Sequence, residues 1–386
     1  MNNILVLHFT HPEGYPPALN AINCLSRKAD QLKVISTDTL PTRWTYNENI
    51  ELILLKGEHN RFHFVQRSKW QKVKTYISYV KQIRKQLKVN KPGLVLVYDN
   101  VPFLLYLFAR LFIKQKHRLW YHNHDIYPLN HYPKFSINWF AFIAIQKYFN
   151  KIDFFSIPSK EREKMFPIQE FKGKSFFIPN YPSKKIVKAS RKGHEDWKKN
   201  KYLKIIYPGS PSNKNGFEEL INVMSQVING KTVTLTIVGE TNERYKSELI
   251  NYAKSKGVAN QLFFEKRVPY TEMSRFLTNY HIGWSIYKPK DMRTATVATA
   301  SNKIYEFLAN AMPIIVLDNE HHRKHLSATS STFFSNLSKK SLEGVLIKID
   351  KDYARFSSDA LNEFEHKYQF ETYFKPVMDT IYEDLN

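Results

Sequence analysis

Short apolar runs alternate with stretches of helical periodicity along the first half of the chain, which is the pattern of a parallel α/β sheet. The predicted strands are Ile4–His8, Leu32–Ser36, Glu51–Leu55, Leu94–Tyr98, Leu119–His122, Phe154–Pro158 and Phe176–Ile178. Long helices are predicted between them, notably Gln66–Lys88 and Ile137–Asn150. These elements predict a first domain over residues 1–182.

The alternation restarts after a strongly basic, non-periodic segment, residues 183–203, which we interpret as an interdomain linker. The next predicted strands are Lys204–Tyr207, Val233–Val238, Leu262–Phe264, Ile282–Ile286 and Ile314–Leu317. The predicted helices are Phe217–Ile228, Thr271–Thr278 and Ser301–Met312. They predict a second domain over residues 204–365, followed by an amphipathic C-terminal helix over 366–386. The pattern fits two facing Rossmann-like domains with ligands at the carboxyl ends of the strands.

The segment Ala300–Val316, ASNKIYEFLANAMPIIV, carries the clearest candidate chemistry. Ser301, Asn302 and Lys303 open a short helix, whose first backbone N–H groups are a natural site for phosphate. Glu306 lies about one turn inside and can accept two hydrogen bonds from a vicinal diol such as a ribose. A phosphate site and a ribose site so close together indicate a nucleotide.

The same segment resembles the donor-binding motif of family-4 glycosyltransferases of the GT-B fold, S/P-N-K-x-x-E-x-x-A-x-G-x-P. Three further stretches of the second half resemble that family: YPGSPSNKNG over 207–216, VTLTIVG over 233–239 and FFEKRVP over 263–269. In the first half WYHNHDIYP, over 120–128, resembles the family's loop facing the acceptor. The resemblance implies a GT-B enzyme with a C-terminal helix that returns to the first domain. It also implies a nucleotide-sugar donor and retention of anomeric configuration.

Carried over residue by residue, the resemblance assigns donor binding to Gly14, Gly209, Ser210, Lys266, Ser301, Asn302, Lys303 and Glu306. It assigns catalytic roles to His124, Lys214 and Arg267. Ser210 stands where the family has Arg, and Asn215 where it has Lys, so Lys214, Lys266 or Arg267 is expected to supply the missing charge. Ala298 replaces the first of two family glutamates, and Ala311 replaces a glycine. These departures leave the donor sugar open.

Three clusters raise the question of a metal. Asp350 and Asp352 form an Asp-x-Asp pattern, but they lie in a late polar segment far from the donor motifs. His122 and His124 share a strand face without an evident third ligand. The cluster of His321, His322 and His325 lacks a neighbouring glutamate of the metalloprotease kind, and we interpret it as a solvated loop and helix start. We therefore expect no metal and no other cofactor.

The net charge of +23 and the pI near 9.7 predict a partner with negative charge. Basic residues concentrate in Lys56–Lys91, where Glu58 is the lone acidic residue. On its predicted helix the apolar stripe is Trp70, Val73, Ile77, Val80 and Ile83 or Arg84. Such a cationic amphipathic helix suits an anionic membrane surface, whereas no recognised motif indicates nucleic acid. An ordinary solvated face is the competing interpretation.

The chain opens on a strand pattern without a signal peptide, and its longest apolar run, Val101–Ile113, is too short to cross a bilayer. Cys24 is the single cysteine, which agrees with a reducing compartment. We therefore expect a cytoplasmic glycosyltransferase, peripheral at the inner face of the cell membrane and acting in cell-surface polysaccharide synthesis on a glycan or lipid-linked acceptor. The alternatives are a nucleotide-sugar 2-epimerase of the same fold, or a non-catalytic protein that binds lipid or nucleic acid.

Overall fold

The computed structural model describes residues 3–55, 67–187 and 197–385. Their contacts divide the chain into two units, Met1–Asn180 with Phe370–Asn386, and Tyr181–Gln369. Each unit is built on one sheet, and the neighbouring long strands of each sheet are parallel. In this division the described parts of the predicted linker, residues 183–187 and 197–203, fall in the second unit.

The first unit is a parallel sheet in the order β3-β2-β1-β4-β5-β6-β7. Its strands are β1 Asn3–Leu7, β2 Gln31–Thr37, β3 Ile50–Leu55, β4 Leu94–Tyr98, β5 Arg118–His122, β6 Phe154–Ile157 and β7 Lys174–Phe177. Its helices are α1 Pro16–Leu25, α2 Lys69–Val89, α3 Asn100–Arg110, α4 Ile137–Tyr148 and, from the chain's end, α13 Phe370–Leu385. The central strands are apolar on both faces because helices cover both faces of a parallel sheet.

The second unit has the strand order β11-β10-β8-β12-β13-β14, with the short β9 antiparallel to β10. The strands are β8 Tyr202–Pro208, β9 Val227–Ile228, β10 Lys231–Val238, β11 Leu262–Glu265, β12 Ile282–Ser285, β13 Ile314–Leu317 and β14 Thr332–Ser335. The helices are α5 Phe217–Met224, α6 Glu243–Ser255, α7 Tyr270–Leu277, α8 Met292–Ala295, α9 Asn302–Ala309, α10 Glu320–Leu326, α11 Lys339–Lys351 and α12 Tyr353–Lys367.

The predicted helix Phe217–Ile228 is too long. It ends at Met224, and Val227–Ile228 form β9 instead. Asn229 and Gly230 both have positive φ, 48° and 82°, and join β9 to β10 in a two-residue hairpin. An Asn-Gly pair is the usual signal for such a turn, so the sequence contained the information that the helical periodicity masked.

The basic segment before β8 is not a loose connection where the structure describes it. Residues 188–196 lie outside the described ranges, but Trp197 is buried against the ring of Tyr353. The Lys231 ammonium lies 3.0 Å from the centroid of the Trp197 indole ring and donates a hydrogen bond to the Trp197 carbonyl. Trp197 is therefore part of the packing of the second unit.

Lys231 also pairs with one of the two carboxylates of the Asp-x-Asp pattern. The Lys231 ammonium lies 3.3 Å from the buried Asp350 carboxylate, which also accepts a hydrogen bond from Asn229. Asp352 pairs with Arg355 on α12. The two carboxylates thus have structural partners.

The C-terminal helix belongs to the first unit, although it starts at Phe370 rather than at 366. Phe374 stacks on Trp120 of β5 with 5.8 Å between ring centroids, and Asp379 pairs with Lys28 just after α1. Within the described ranges no helix combines the length and the apolar character needed to cross a bilayer.

Candidate functional site

The carboxyl edge of the second sheet gathers most of the predicted donor residues. Gly209 follows β8, Gly239 follows β10 and Lys266 follows β11, all at the same edge because these strands are parallel. The Gly209 N–H donates to the carbonyl of Val238, and the Gly239 N–H donates to that of Glu265. The three loops are therefore tied side by side where parallel sheets bind ligands.

Two glycines at this edge have backbone conformations that side chains rarely adopt. The φ angle is 141° at Gly209 and 136° at Gly239. A Cβ on Gly239 would lie 2.8 Å from the Gly209 carbonyl oxygen, and one on Gly209 would lie 2.6 Å from the Lys303 Nζ. Both positions require glycine, and the bare backbone lets Lys303 approach the end of β8 closely.

Helix α9 begins at this edge with polar groups that have no partner among the described residues. Ser301 is its N-cap residue, yet the Ser301 side chain makes no capping hydrogen bond. The buried Ser301 Oγ, Asn302 Oδ1 and Thr299 Oγ1 atoms all lack partners in the part of the chain that the structure describes. Because the first N–H groups of a helix also lack intrahelical acceptors, this helix start offers an anion those N–H groups and the Ser301 and Thr299 hydroxyls. The Asn302 Oδ1 atom can only accept a hydrogen bond.

The Lys303 ammonium is held beside the helix start by two tyrosines. It donates a 2.7 Å hydrogen bond to the Tyr287 hydroxyl and lies 4.1 Å from the centroid of the Tyr207 ring. Burial raises the pKa of Tyr207 to about 12 despite this cation. The arrangement fixes a positive charge next to Gly209 before any ligand binds.

Glu306 lies one turn into α9 and is 7% exposed. Burial raises the pKa of its carboxyl to about 7, although the charge of Lys303 opposes the shift. No donor to the Glu306 carboxylate is found among residues 3–55, 67–187 and 197–385. Both carboxylate oxygens thus remain available to hydroxyl groups of a ligand.

The loop after β8 explains one departure from the family pattern. Asn215, in the place of the family lysine, is buried; it donates to the Ile286 carbonyl and accepts from Ser212. The Asn215 amide therefore stabilises the loop rather than binding a ligand. Lys214 is half-buried and contributes, after Thr294 and Arg293, to the lowered pKa of Asp291.

Ser210 is exposed in the same loop. Lys266 and Arg267 are also exposed, in the loop after β11. That loop is adjacent to Gly239 through the hydrogen bond from Gly239 to Glu265. The second unit thus brings Gly209, Ser301, Asn302, Lys303 and Glu306 together, with Ser210, Lys214, Lys266 and Arg267 in loops at the same edge.

His124 follows β5 in the first unit, at the carboxyl ends of three adjacent strands. Its ring stacks on Tyr98 with 4.9 Å between centroids and lies 3.8 Å from the Tyr15 ring. The ring is 2% exposed, and burial lowers the pKa of His124 well below its usual value, as does the charge of Arg162. Both effects favour the neutral form of the His124 imidazole.

Asp99 orients this imidazole. The Asp99 Oδ1 atom accepts a 2.8 Å hydrogen bond from the backbone N–H of His124, and the Asp99 Oδ2 atom lies 3.3 Å from the Nδ1 atom of the His124 ring. The His124 Nε2 has no partner in the described part of the chain. Asp99 itself has φ 63°, a left-handed conformation that is rare without glycine and marks a constrained position.

Gly14, assigned to donor binding, ends a short 3₁₀ helix over Pro12–Gly14 of the first unit. Its N–H donates to the His11 carbonyl. His122 is buried and hydrogen-bonds Ser156 through Nδ1. The interpretation of His321, His322 and His325 as solvated is wrong for His322, which is fully buried in α10; burial lowers its pKa to about 4.

Sequence patterns missed several of these contributors. Tyr207 and Tyr287 hold Lys303, Gly239 fits against Gly209, and Asp99 holds His124, but none of them was assigned a role. The position of Gly239 directly after a strand was a usable signal, since glycines there allow close backbone approach. The two tyrosines carry no comparable signal because their role depends on packing across the sheet.

No family model matches the chain, and no curated protein matches it either. Solved structures do resemble it. A sucrose-phosphate synthase from Thermosynechococcus elongatus is 12% identical with a TM-score of 0.72, covering 100% of this chain and 99% of its own. Anabaena HepE, solved with UDP and glucose, is 14% identical with a TM-score of 0.67, covering 99% of this chain and 100% of its own.

WaaG, described as a glycosyltransferase involved in lipopolysaccharide biosynthesis, is 11% identical with a TM-score of 0.63; 97% of this chain and 98% of WaaG are covered. At such low identity the similarity establishes the fold. The chain has the GT-B fold of these glycosyltransferases, as its sequence motifs predicted.

Proposed function

We propose that the protein is a glycosyltransferase that moves a sugar from a nucleotide-diphosphate donor to a glycan or lipid-linked acceptor. One observation carries the proposal: Gly209, Lys303, the unpartnered start of α9 and the Glu306 carboxylate converge at one sheet edge. The first three suit a diphosphate, and the last suits a ribose. Solved neighbours of the same fold include one in complex with UDP-glucose, which supports a donor of this kind.

Each group has a defined part in the proposed reaction. Cleavage of the sugar–phosphate bond leaves negative charge on the diphosphate, which Lys303 and the α9 amides would stabilise without reorganising. Lys214 with Lys266 or Arg267 would add charge from the loops. His124, neutral and oriented by Asp99, is assigned to the transferred sugar. Retention of configuration and a role in cell-surface polysaccharide synthesis follow from the family resemblance.

We further propose that no metal takes part, and that the protein acts at the inner face of the cell membrane. Fixed cations and helix amides would replace a divalent ion at the diphosphate. The membrane location rests on the cationic surface of α2.

Nucleotide affinity tests the site directly. Calorimetry with UDP and UDP-glucose is expected to show binding that Glu306→Ala weakens about ten- to a hundred-fold. Loss of hydrogen bonds to a charged acceptor costs about 1.5–3 kcal/mol. Glu248→Ala, at an exposed position on α6, is the matched control and should leave affinity unchanged. A folded Glu306→Ala protein with full affinity would refute the assignment.

The metal proposal is tested by chelation. We expect sugar transfer to continue in EDTA, measured as nucleotide released in the presence of acceptor. Loss of activity that magnesium or manganese restores would contradict a metal-free site. Incubation of the donor alone, followed by a search for an epimer of the nucleotide-sugar, separates transfer from epimerisation, since a 2-epimerase would convert the donor without an acceptor.

A further inference from the structure

The exposed apolar side chains are concentrated on one part of the first unit. Of the fifteen large apolar side chains exposed in the described residues, eleven lie between Trp70 and Tyr148. Trp70 is 78% exposed, Phe112 is 92% exposed and Phe135 is 75% exposed. Five of the eleven also line a single groove, which indicates a binding surface rather than scattered surface residues: Val73, Ile77, Phe108, Phe140 and Tyr148.

Three helices of this region enclose an open apolar groove of about 810 Å³. Helix α3 packs against both α2 and α4, and all three line the groove. Its lining is almost entirely apolar and includes Val73, Ile77, Leu104, Phe108, Phe140 and Ala144. The charged side chains among the lining residues are Lys81 and Lys147.

The helices that form the groove carry charge of one sign. Seven basic residues lie on α2, one on α3 and one on α4, and none of these helices contains an acidic residue. The exposed Lys74, Lys81 and Lys85 make no ion pair within the described ranges. The groove is therefore apolar, and the helices that form it carry only positive charge.

This surface differs from the stripe that the sequence predicted on α2 alone. Ile83 is fully buried in the core of the first unit, and Val80 is half-buried, so the predicted stripe turns inward along the helix. Trp70, Val73 and Ile77 remain exposed, and Phe108 and Phe140 extend their surface onto α3 and α4. Lys56 and Arg61, which contributed to the predicted charge, lie outside the described residues.

We propose that α2, α3 and α4 form a docking surface for a bilayer rich in anionic lipid, with lipid acyl chains filling the groove. Basic residues would contact the headgroups, and Trp70, Ile77 and Phe140 would enter the acyl layer. A second copy of the chain fits poorly, because two such faces would bring like charges together. The inference rests on the membrane location proposed above, but not on sugar transfer.

Vesicle sedimentation with the full-length protein tests the surface. Vesicles of phosphatidylcholine with an equal amount of phosphatidylglycerol should bind the protein at least about ten-fold more strongly than phosphatidylcholine alone. High salt should release it. Equal binding to both vesicles, or none to either, would overturn the proposal.

Variants locate the binding on this face. The triple change Lys74→Glu, Lys81→Glu and Lys85→Glu should abolish binding. The matched control changes net charge by the same amount at exposed sites of the second unit: Lys254→Glu, Lys340→Glu and Lys351→Glu. This control should retain most of the vesicle binding. If both triples lose binding equally, overall charge rather than this face is responsible, and the proposal is wrong.

A second pair of variants tests insertion. Ile77→Ser with Phe140→Ser preserves charge and, at half-exposed positions, should leave the fold intact while weakening vesicle binding about ten-fold. Quenching of Trp70 fluorescence by brominated acyl chains, identified by its loss in Trp70→Phe, should accompany binding. Unquenched Trp70, or a solution dimer that the double variant dissociates, would overturn lipid docking.

UDP-glucose affinity, measured on the same samples, separates the two proposals. It should be unchanged in every variant of this face. Absent vesicle binding with retained nucleotide affinity refutes the docking surface and the membrane location but not the proposed sugar transfer. Vesicle binding without nucleotide affinity refutes the proposed sugar transfer alone.

Discussion

Glu306 couples ligand recognition to the stability of the second unit. Burial raises the pKa of this carboxyl from about 4.5 to about 7, so the folded protein binds the proton more tightly than the unfolded chain does. The free energy of unfolding therefore falls as pH rises from about 4.5 to 7, by about 3 kcal/mol for a shift of this size. Above pH 7 the site holds a charge that is costly without a ligand, as expected for a binding residue.

Glu306→Gln should expose this cost. The amide has no charge to desolvate, so the variant should be more stable than the parent at pH 8, by about 2–3 kcal/mol. At pH 5, where the parent carboxyl is protonated, the two proteins should have similar stability. Urea unfolding at both pH values measures the difference. An equal difference at pH 5 and pH 8 would show that Glu306 does not titrate as described.

Asp99 and Ala311 show where residue patterns fail to reveal conformation. Both have positive φ, 63° and 56°, without being glycine. Ala311 stands where the family pattern has glycine, and it still ends α9 in a left-handed turn: the Met312 N–H donates to the Phe307 carbonyl, and the Ala311 N–H donates to that of Leu308. Ala311 thus adopts the turn conformation that glycine usually adopts at this position. The sequence alone does not indicate that alanine would do so.

Elements were predicted well where periodicity and end signals agreed. Strands β4 and β13 have the predicted bounds, and α9 lies inside the predicted Ser301–Met312 because its polar start and apolar stripe coincide. The predicted end of α5 at Ile228 was wrong. Val227 and Ile228 continue the apolar spacing of the helix, but in the structure they pair with β10. The face of α2 was misjudged at Ile83 because burial depends on which neighbouring helices cover it.

The position of α9 depends on a glycine in the strand beneath it. A Cβ on Gly283 of β12 would lie 2.2 Å from the ring of Phe307, so helix and strand approach more closely than any side chain allows. Gly283→Ala should lower the stability of the second unit by about 1–3 kcal/mol or more. It should also weaken UDP-glucose binding, since α9 must shift away.

Gly344 offers a matched control for that substitution. It lies in the interior of α11, and an added Cβ would meet nothing within 4 Å. Gly344→Ala should stabilise the protein by about 0.5–1 kcal/mol through helix propensity. Thermal unfolding and calorimetry measure both variants. Gly283→Ala with parental stability and affinity would mean that α9 is not positioned by this contact.

At the scale of the whole molecule, the path of the chain makes the first unit depend on its last helix. The chain leaves the first unit at Asn180 and returns at Phe370. Helix α13 then buries Phe370, Phe374 and Ile381. The predicted return of this helix came from the family resemblance. Local sequence shows only that the segment is amphipathic, and says nothing of which sheet it covers.

Phe374→Ala should therefore destabilise the first sheet selectively. Phe374 is 1% exposed and contacts the rings of Trp120 and Phe370, and removing such a ring costs about 3–5 kcal/mol. Hydrogen exchange followed by mass spectrometry should show lost protection in β5 and β6 but not in β8 or β10, with UDP-glucose affinity retained. Thr372→Ala, at an exposed position of the same helix, should change neither. Equal loss of protection in both sheets would mean that the two units do not unfold separately, whereas no loss would mean that α13 contributes little to the first unit.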